Sequence, residues 1–170
     1  SLIKSVFYFR FGFFALAFWF IIEKRRDVLK NLYWCFLFVF LLLIIDGFYQ
    51  FYFEENLIGL KKQGSRISSF FGSELVLGSY LVRLLPIFFA ITIFFKEKPK
   101  IINSMIILIF LEVLIFLSGE RSAFFLLNLT TIYFLILSKN LVKIRMITFS
   151  LSLILILFIS IFNNSAKTRM

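Results

Sequence analysis

Six uninterrupted apolar blocks constrain this chain more than any other feature. They lie at about 5–22, 31–47, 75–95, 101–118, 122–138 and 146–162, and each holds about 17–21 residues. A helix of that length, rising about 1.5 Å per residue, crosses a hydrocarbon core of about 30 Å. Inside lipid every backbone N–H and C=O must be paired, either within one helix or in a closed barrel. The alternation expected of barrel strands is absent, so the blocks read as helices. The expected fold is all-α, a polytopic transmembrane bundle with about six spans. Residues 1–170 then form part of a single membrane domain.

The net charge of +10 would point to nucleic acid in a soluble protein. Here the charges sit in short clusters between apolar blocks, which is how topology signals are placed, so no nucleic-acid partner is expected. The links 23–30, 96–100 and 139–145 hold ten Lys and Arg against Glu23, Asp27 and Glu97. These are alternate links, and the positive-inside bias puts them in the cytoplasm. The loop 46–74, the turn at 119–121 and the tail 163–170 then face the other side. In a bacterium this describes a multi-pass inner-membrane protein with those loops in the periplasm.

Absences narrow the chemistry. The chain has no His, which removes Ser-His-Asp and Cys-His catalysis and any His-ligated metal. Neither a metal nor a cofactor is expected. Cys35, the single cysteine, reads as a small apolar core residue. The chain starts at Ser1 without an initiator Met and stops as a polar segment opens at Asn163, so it reads as a piece of a longer protein.

The stretch Asp46–Arg83 is the long polar interruption, with acids, bases, serines and five glycines. Residues 48–60 mix aromatics with Glu54 and Glu55 and could lie along the membrane surface, with Tyr49 and Tyr52 as interfacial anchors. Arg66 offers a planar fork of donors for phosphate or carboxylate. Ser65, Ser68 and Ser69, with nearby backbone N–H groups, could complete an anion site. Glu74 stands where the third helix should open. A solvated, flexible loop would look much the same.

Within the blocks, Arg10 reads as a snorkelling side chain. Arg83 and Glu112 fall at similar depth on antiparallel helices, so an intramembrane pair between them is expected. Pro86 suggests a kink. Ser118-Gly119-Glu120-Arg121-Ser122 forms a tight hairpin turn that puts Glu120 and Arg121 on the same side as Arg66.

Two stretches resemble the O-antigen polymerase and O-antigen ligase superfamily of bacterial inner-membrane proteins. The first runs from Asp46 through Gln50 and Gly59 to Arg66-Ile67-Ser68-Ser69-Phe70-Phe71-Gly72-Ser73-Glu74, then Gly78-Ser79-Tyr80-Leu81. It is similar to a pattern of Asp and Gln leaving a helix, a surface stretch, an Arg-x-Ser segment and a new helix. The second is Ser118-Gly119-Glu120-Arg121-Ser122-Ala123, similar to a Ser/Gly-x-Arg turn. Lys167-Thr168-Arg169-Met170 resembles the opening of that family's large periplasmic loop.

The resemblance implies a membrane glycosyltransferase of lipopolysaccharide or other polysaccharide biosynthesis. Its donor would be an oligosaccharide on undecaprenyl diphosphate, and its acceptor another such glycan or lipid A-core. It implies neither a metal nor a nucleotide sugar. A chain-length regulator is a possible partner beside the lipid bilayer. Arg66 and Arg121 would neutralise the diphosphate leaving group. Glu74, Glu120 or Glu112 would act as base or orient a sugar hydroxyl. Ser68, Ser69, Arg83, Glu112 and Arg169 are the candidate substrate-binding residues. The family's ligases use a His that this chain lacks, which leaves the general base open. Two rivals stand beside this reading, a polysaccharide or lipid-linked-glycan flippase and a non-catalytic membrane subunit.

Overall fold

The structure is a computed structural model that describes residues 2–95, 98–137 and 142–162. It is all-helical among those residues. Six α-helices run in chain order: α1 Leu2–Lys24, α2 Asp27–Phe53, α3 Leu77–Phe95, α4 Lys98–Leu117, α5 Arg121–Leu137 and α6 Val142–Phe162. A short 3-10 turn, Ser69–Phe71, interrupts the loop after α2. Three described segments are long and apolar enough to cross a membrane, Asp27–Phe53, Leu77–Phe95 and Val142–Ile161. The apolar runs of α4 and α5 are shorter, Ile101–Leu117 and Arg121–Ile136.

The chain divides into two compact units, Ser1–Phe36 and Leu37–Met170. The first holds α1 and the opening turns of α2. Its α1 shows Phe9, Phe13, Phe14 and Trp19 on the outside. Lys24 lies over the Phe20 ring at 4.5 Å, the cation–π contact of a basic residue ending an apolar helix. Cys35 is exposed rather than in the core, because the inward stripe of α2 passes through Tyr33 and Leu37 instead.

The second unit is organised around α4, which touches α3, α5 and α6. Its residues from Ile107 to Ser118 are nearly all buried, so apolar side chains are needed all round the helix rather than along one stripe. The outer helices bury one stripe and expose the other. On α6 the inward stripe is Arg145, Thr148, Ser152, Ile156 and Ser160, while Ile147, Leu151, Ile154 and Phe158 face out. Such a pattern, polar inside and apolar outside, would aggregate in water and suits lipid. The chain is accordingly a membrane protein.

Helix α2 does not end at Asp46. It continues to Phe53, so Phe48–Phe53 is helical. Asp46, Gly47 and Gln50 stay on the buried stripe begun by Leu37, Phe40 and Leu43. A Cβ on Gly47 would meet Leu114 Cδ1 at 2.5 Å, so glycine lets α2 approach α4 closely. Helix α3 runs unbroken through Pro86. Helix α6 starts at Val142 and takes in Arg145, which the sequence had placed in a basic link.

Candidate functional site

The C-terminal ends of α2 and α4 and the N-terminal ends of α3 and α5 meet at one end of the bundle. The loop after α2 is pinned there by three buried polar side chains. Asp46 accepts from the Leu57 N–H at 2.9 Å and from the Ser69 hydroxyl at 2.5 Å. One turn later on the same stripe, Gln50 accepts from the N–H groups of Ser68 and Ser69 at 3.0 and 2.7 Å, and donates to the Leu60 carbonyl at 3.3 Å. Asn56 closes the arrangement. Its side-chain oxygen accepts from Ile58 and Leu60 N–H, and its amide donates to the Ser69 carbonyl at 3.1 Å. These bonds hold Ser69 at φ 53, a conformation that a non-glycine residue rarely adopts.

This geometry gives Ser68 and Ser69 a different place from the one expected. Both are fully buried, and the Ser69 hydroxyl is used on Asp46. They tie the loop to α2 and are not presented to the outside. Asp46 and Gln50 likewise remain in the helix instead of leading out of it.

Arg66 is half-buried and crosses the hairpin turn between α4 and α5. Its Nε donates to the Ser118 carbonyl at 3.0 Å. A Cβ on Gly119 would meet Arg66 Nε at 3.1 Å, and Gly119 itself has φ +69. Glycine therefore serves twice, for the left-handed turn and for the close approach. The terminal guanidinium nitrogens take no protein partner among the described residues. Arg121 is exposed as the first residue of α5, three positions after Ser118. The fold thus brings Arg66 and Arg121 to one turn, although they stand far apart in sequence.

Glu120 is engaged. Its two carboxylate oxygens accept from the N–H groups of Gly78 and Ser79 at 2.7 and 3.1 Å. Those are free donors of the first turn of α3, so Glu120 caps a helix that begins 43 residues earlier, at Leu77 (120 − 77). Its charge also meets the positive end of the α3 dipole. Gly78 leaves room for the carboxylate, since a Cβ there would sit 3.1 Å from Oε1 and 2.5 Å from Ser118 Oγ. We expect Glu120→Ala to lower stability by about 1 kcal/mol, the usual cost of a lost cap. Glu120→Gln should lose less, and thermal unfolding of both variants in detergent would measure the difference. Glu74 lies before α3, exposed, and its side chain makes no hydrogen bond or ion pair among the described residues. Arg169 lies outside the described residues.

The expected pair of Arg83 with Glu112 does not form. Arg83 is exposed on the outward face of α3. Glu112 is buried and forms its ion pair with Arg145 of α6. Helix rotation decides this, since α3 buries Leu81, Val82 and Leu85 and turns position 83 away from α4. Glu112 also accepts from the Ser152 hydroxyl, and Arg145 donates to Thr131 Oγ1 of α5 at 2.5 Å. The guanidinium lies 5.5 Å from the Phe89 ring and 5.8 Å from the Phe149 ring. Sequence reasoning missed Arg145, Thr131 and Ser152. The signal was present in the spacing Arg145, Thr148, Ser152, which puts three polar groups on one helix face.

Comparison with protein-family models, with curated proteins and with solved structures gives no match.

Proposed function

We propose that this chain is a membrane glycosyltransferase of the O-antigen polymerase or ligase kind, acting on an undecaprenyl-diphosphate-linked oligosaccharide. The observation that supports it is the seating of Arg66 on the α4–α5 turn beside Arg121. Two cations at one end of a membrane bundle, one of them anchored through Nε, suit a diphosphate held at the membrane surface. That end faces the periplasm of a bacterial inner membrane in this reading, as the basic links at the other end require.

The chemistry is a displacement at the anomeric carbon. A hydroxyl of the acceptor glycan, or of lipid A-core, attacks that carbon, and the bond to the diphosphate oxygen breaks. The leaving diphosphate takes the electron pair, and Arg66 and Arg121 stabilise its charge. The hydroxyl proton passes to a carboxylate. Among the carboxylates named from the sequence, Glu74 is exposed and uncommitted, whereas Glu120 is occupied by α3 and Glu112 by Arg145. Glu74 is therefore the base in this reading.

The test is Arg66→Ala and Arg121→Ala, each expressed in the host membrane at normal level. Each should slow transfer by about a hundredfold or more, the scale of losing one electrostatic stabiliser. On a polysaccharide gel, loss of the length ladder with single repeats retained marks a polymerase. Loss of lipid A-linked glycan with long lipid-linked chains accumulating marks a ligase. An unchanged pattern in both variants overturns the proposal.

A second reading, a flippase or carrier for lipid-linked glycan, draws on the Glu112–Arg145 pair inside the bundle. Flux across reconstituted vesicles that Glu112→Gln abolishes and Arg66→Ala spares would favour it.

A further inference from the structure

A groove of about 240 Å³ opens between α2 and α3, lined by Val39, Leu42, Leu43, Phe70, Phe71 and Tyr80. Its lining is almost wholly apolar. Both helices are long and apolar enough to span a membrane, so the groove opens along a flank that lipid covers. Its roof is the 3-10 turn Ser69–Phe71, held by Asp46, Gln50 and Asn56. Phe71 rests against Tyr80 with ring centroids 5.2 Å apart. The polar network behind the turn therefore carries two phenylalanines into the groove as a fixed wall.

Arg83 follows Tyr80 by three positions, so the two share one exposed face of α3. Helical side chains lean toward the N-terminus, and the N-terminus of α3 is at the loop end. A side chain at position 83 can therefore extend along the helix toward Tyr80, which lines the groove. It forms no ion pair among the described residues, and Glu112, the acid expected to meet it, is taken by Arg145. A cation on the lipid face about 9 Å inside the first residue of α3 is stabilised when its long side chain reaches an anion at the membrane surface.

We propose that this groove seats one acyl chain of an anionic phospholipid whose phosphate binds Arg83. Charge complementarity selects an anionic headgroup, because a choline headgroup brings its own cation to compete for the phosphate. The site goes beyond the transfer reaction, since it uses neither Arg66 nor Arg121.

Tryptophan fluorescence tests this. The two native tryptophans are removed by Trp19→Phe and Trp34→Phe, and Phe71→Trp places a reporter in the groove wall. The protein is reconstituted in phosphatidylcholine vesicles containing a minor fraction of phosphatidylglycerol or phosphatidylcholine with brominated chains. Brominated phosphatidylglycerol should quench at about tenfold lower fraction than brominated phosphatidylcholine, the scale of one charge-assisted hydrogen bond. Arg83→Gln should bring the two lipids level. Equal quenching before that change, or a preference that survives it, overturns the proposal. Native mass spectrometry of the unmodified protein and Arg83→Gln gives a second readout should the tryptophan variant not fold. Retention of phosphatidylglycerol by the former alone supports the site. Equal retention by both, or a prenyl phosphate held in place of the phospholipid, overturns it.

Discussion

Arg145→Leu should destabilise the bundle by about 3–5 kcal/mol, the cost of leaving a buried charge without its partner. The same loss is expected for Glu112→Leu. Both side chains are essentially inaccessible, with relative exposures of 0% and 1%. Removing the arginine strands a carboxylate between α4 and α6. Removing the glutamate strands a guanidinium whose Nε already has no partner.

The double variant Glu112→Leu with Arg145→Leu should recover most of the loss. An apolar replacement of a buried ion pair is often neutral or better. The surrounding hydroxyls make this specific. Thr131 Oγ1 also donates to the Leu127 carbonyl and Thr148 Oγ1 to the Arg145 carbonyl, each at 3.0 Å, and Ser152 Oγ lies 2.8 Å from the Phe149 carbonyl, to which its one proton can turn. Each retains a bond within its own helix when the ion pair is gone, so the double variant creates no orphan. The check is a double-mutant cycle by denaturant titration in mixed micelles. Additive losses in the double variant would mean that the pair is not coupled in the folded protein. The same cycle with Arg83 in place of Arg145 should show no coupling.

Gln50→Leu should open the loop end while leaving the helices in place. It removes the acceptor for two buried N–H groups, those of Ser68 and Ser69. Each orphaned donor costs about 1–3 kcal/mol. The loop escapes that cost by releasing the 3-10 turn to water, and Ser69 then relaxes from its left-handed backbone. Hydrogen exchange at the Ser68 and Ser69 amides should speed up by about a hundredfold or more, taking about 1.4 kcal/mol per tenfold. Trypsin should cut sooner after Lys61, Lys62 and Arg66. Unaltered protection at both amides would show that the turn is held by Phe70 and Phe71 packing and not by Gln50.

Reading the helices from sequence worked because hydrophobic length is a local property. The blocks at 75–95 and 146–162 reappear as α3 and α6 with shifts of a few residues at their starts. The errors have local causes too. Asp46 and Gln50 look like exit signals because they are polar, yet burial on the inner stripe lets α2 continue to Phe53. Arg145 looked like a topology charge because it stands two positions after Lys143, yet it lies inside α6. The site was legible only in part. That Arg66 crosses the turn that precedes Arg121 was not legible, since the sequence placed them only on the same side, and Glu120, Ser68 and Ser69 are occupied in holding backbone.

The sequence by itself determined that this chain is helical and built for a membrane, since long apolar blocks without strand alternation satisfy their backbone in lipid as helices. It also determined where polar groups interrupt them. The tertiary structure alone decided which charges meet. Depth along a helix can be counted from sequence, but partner choice depends on how each helix is rotated about its axis. That rotation is set by packing against several neighbours at once. Arg83 and Glu112 share a depth and face apart, while Glu112 and Arg145, in different sequence segments, face each other at the centre of α4, α5 and α6.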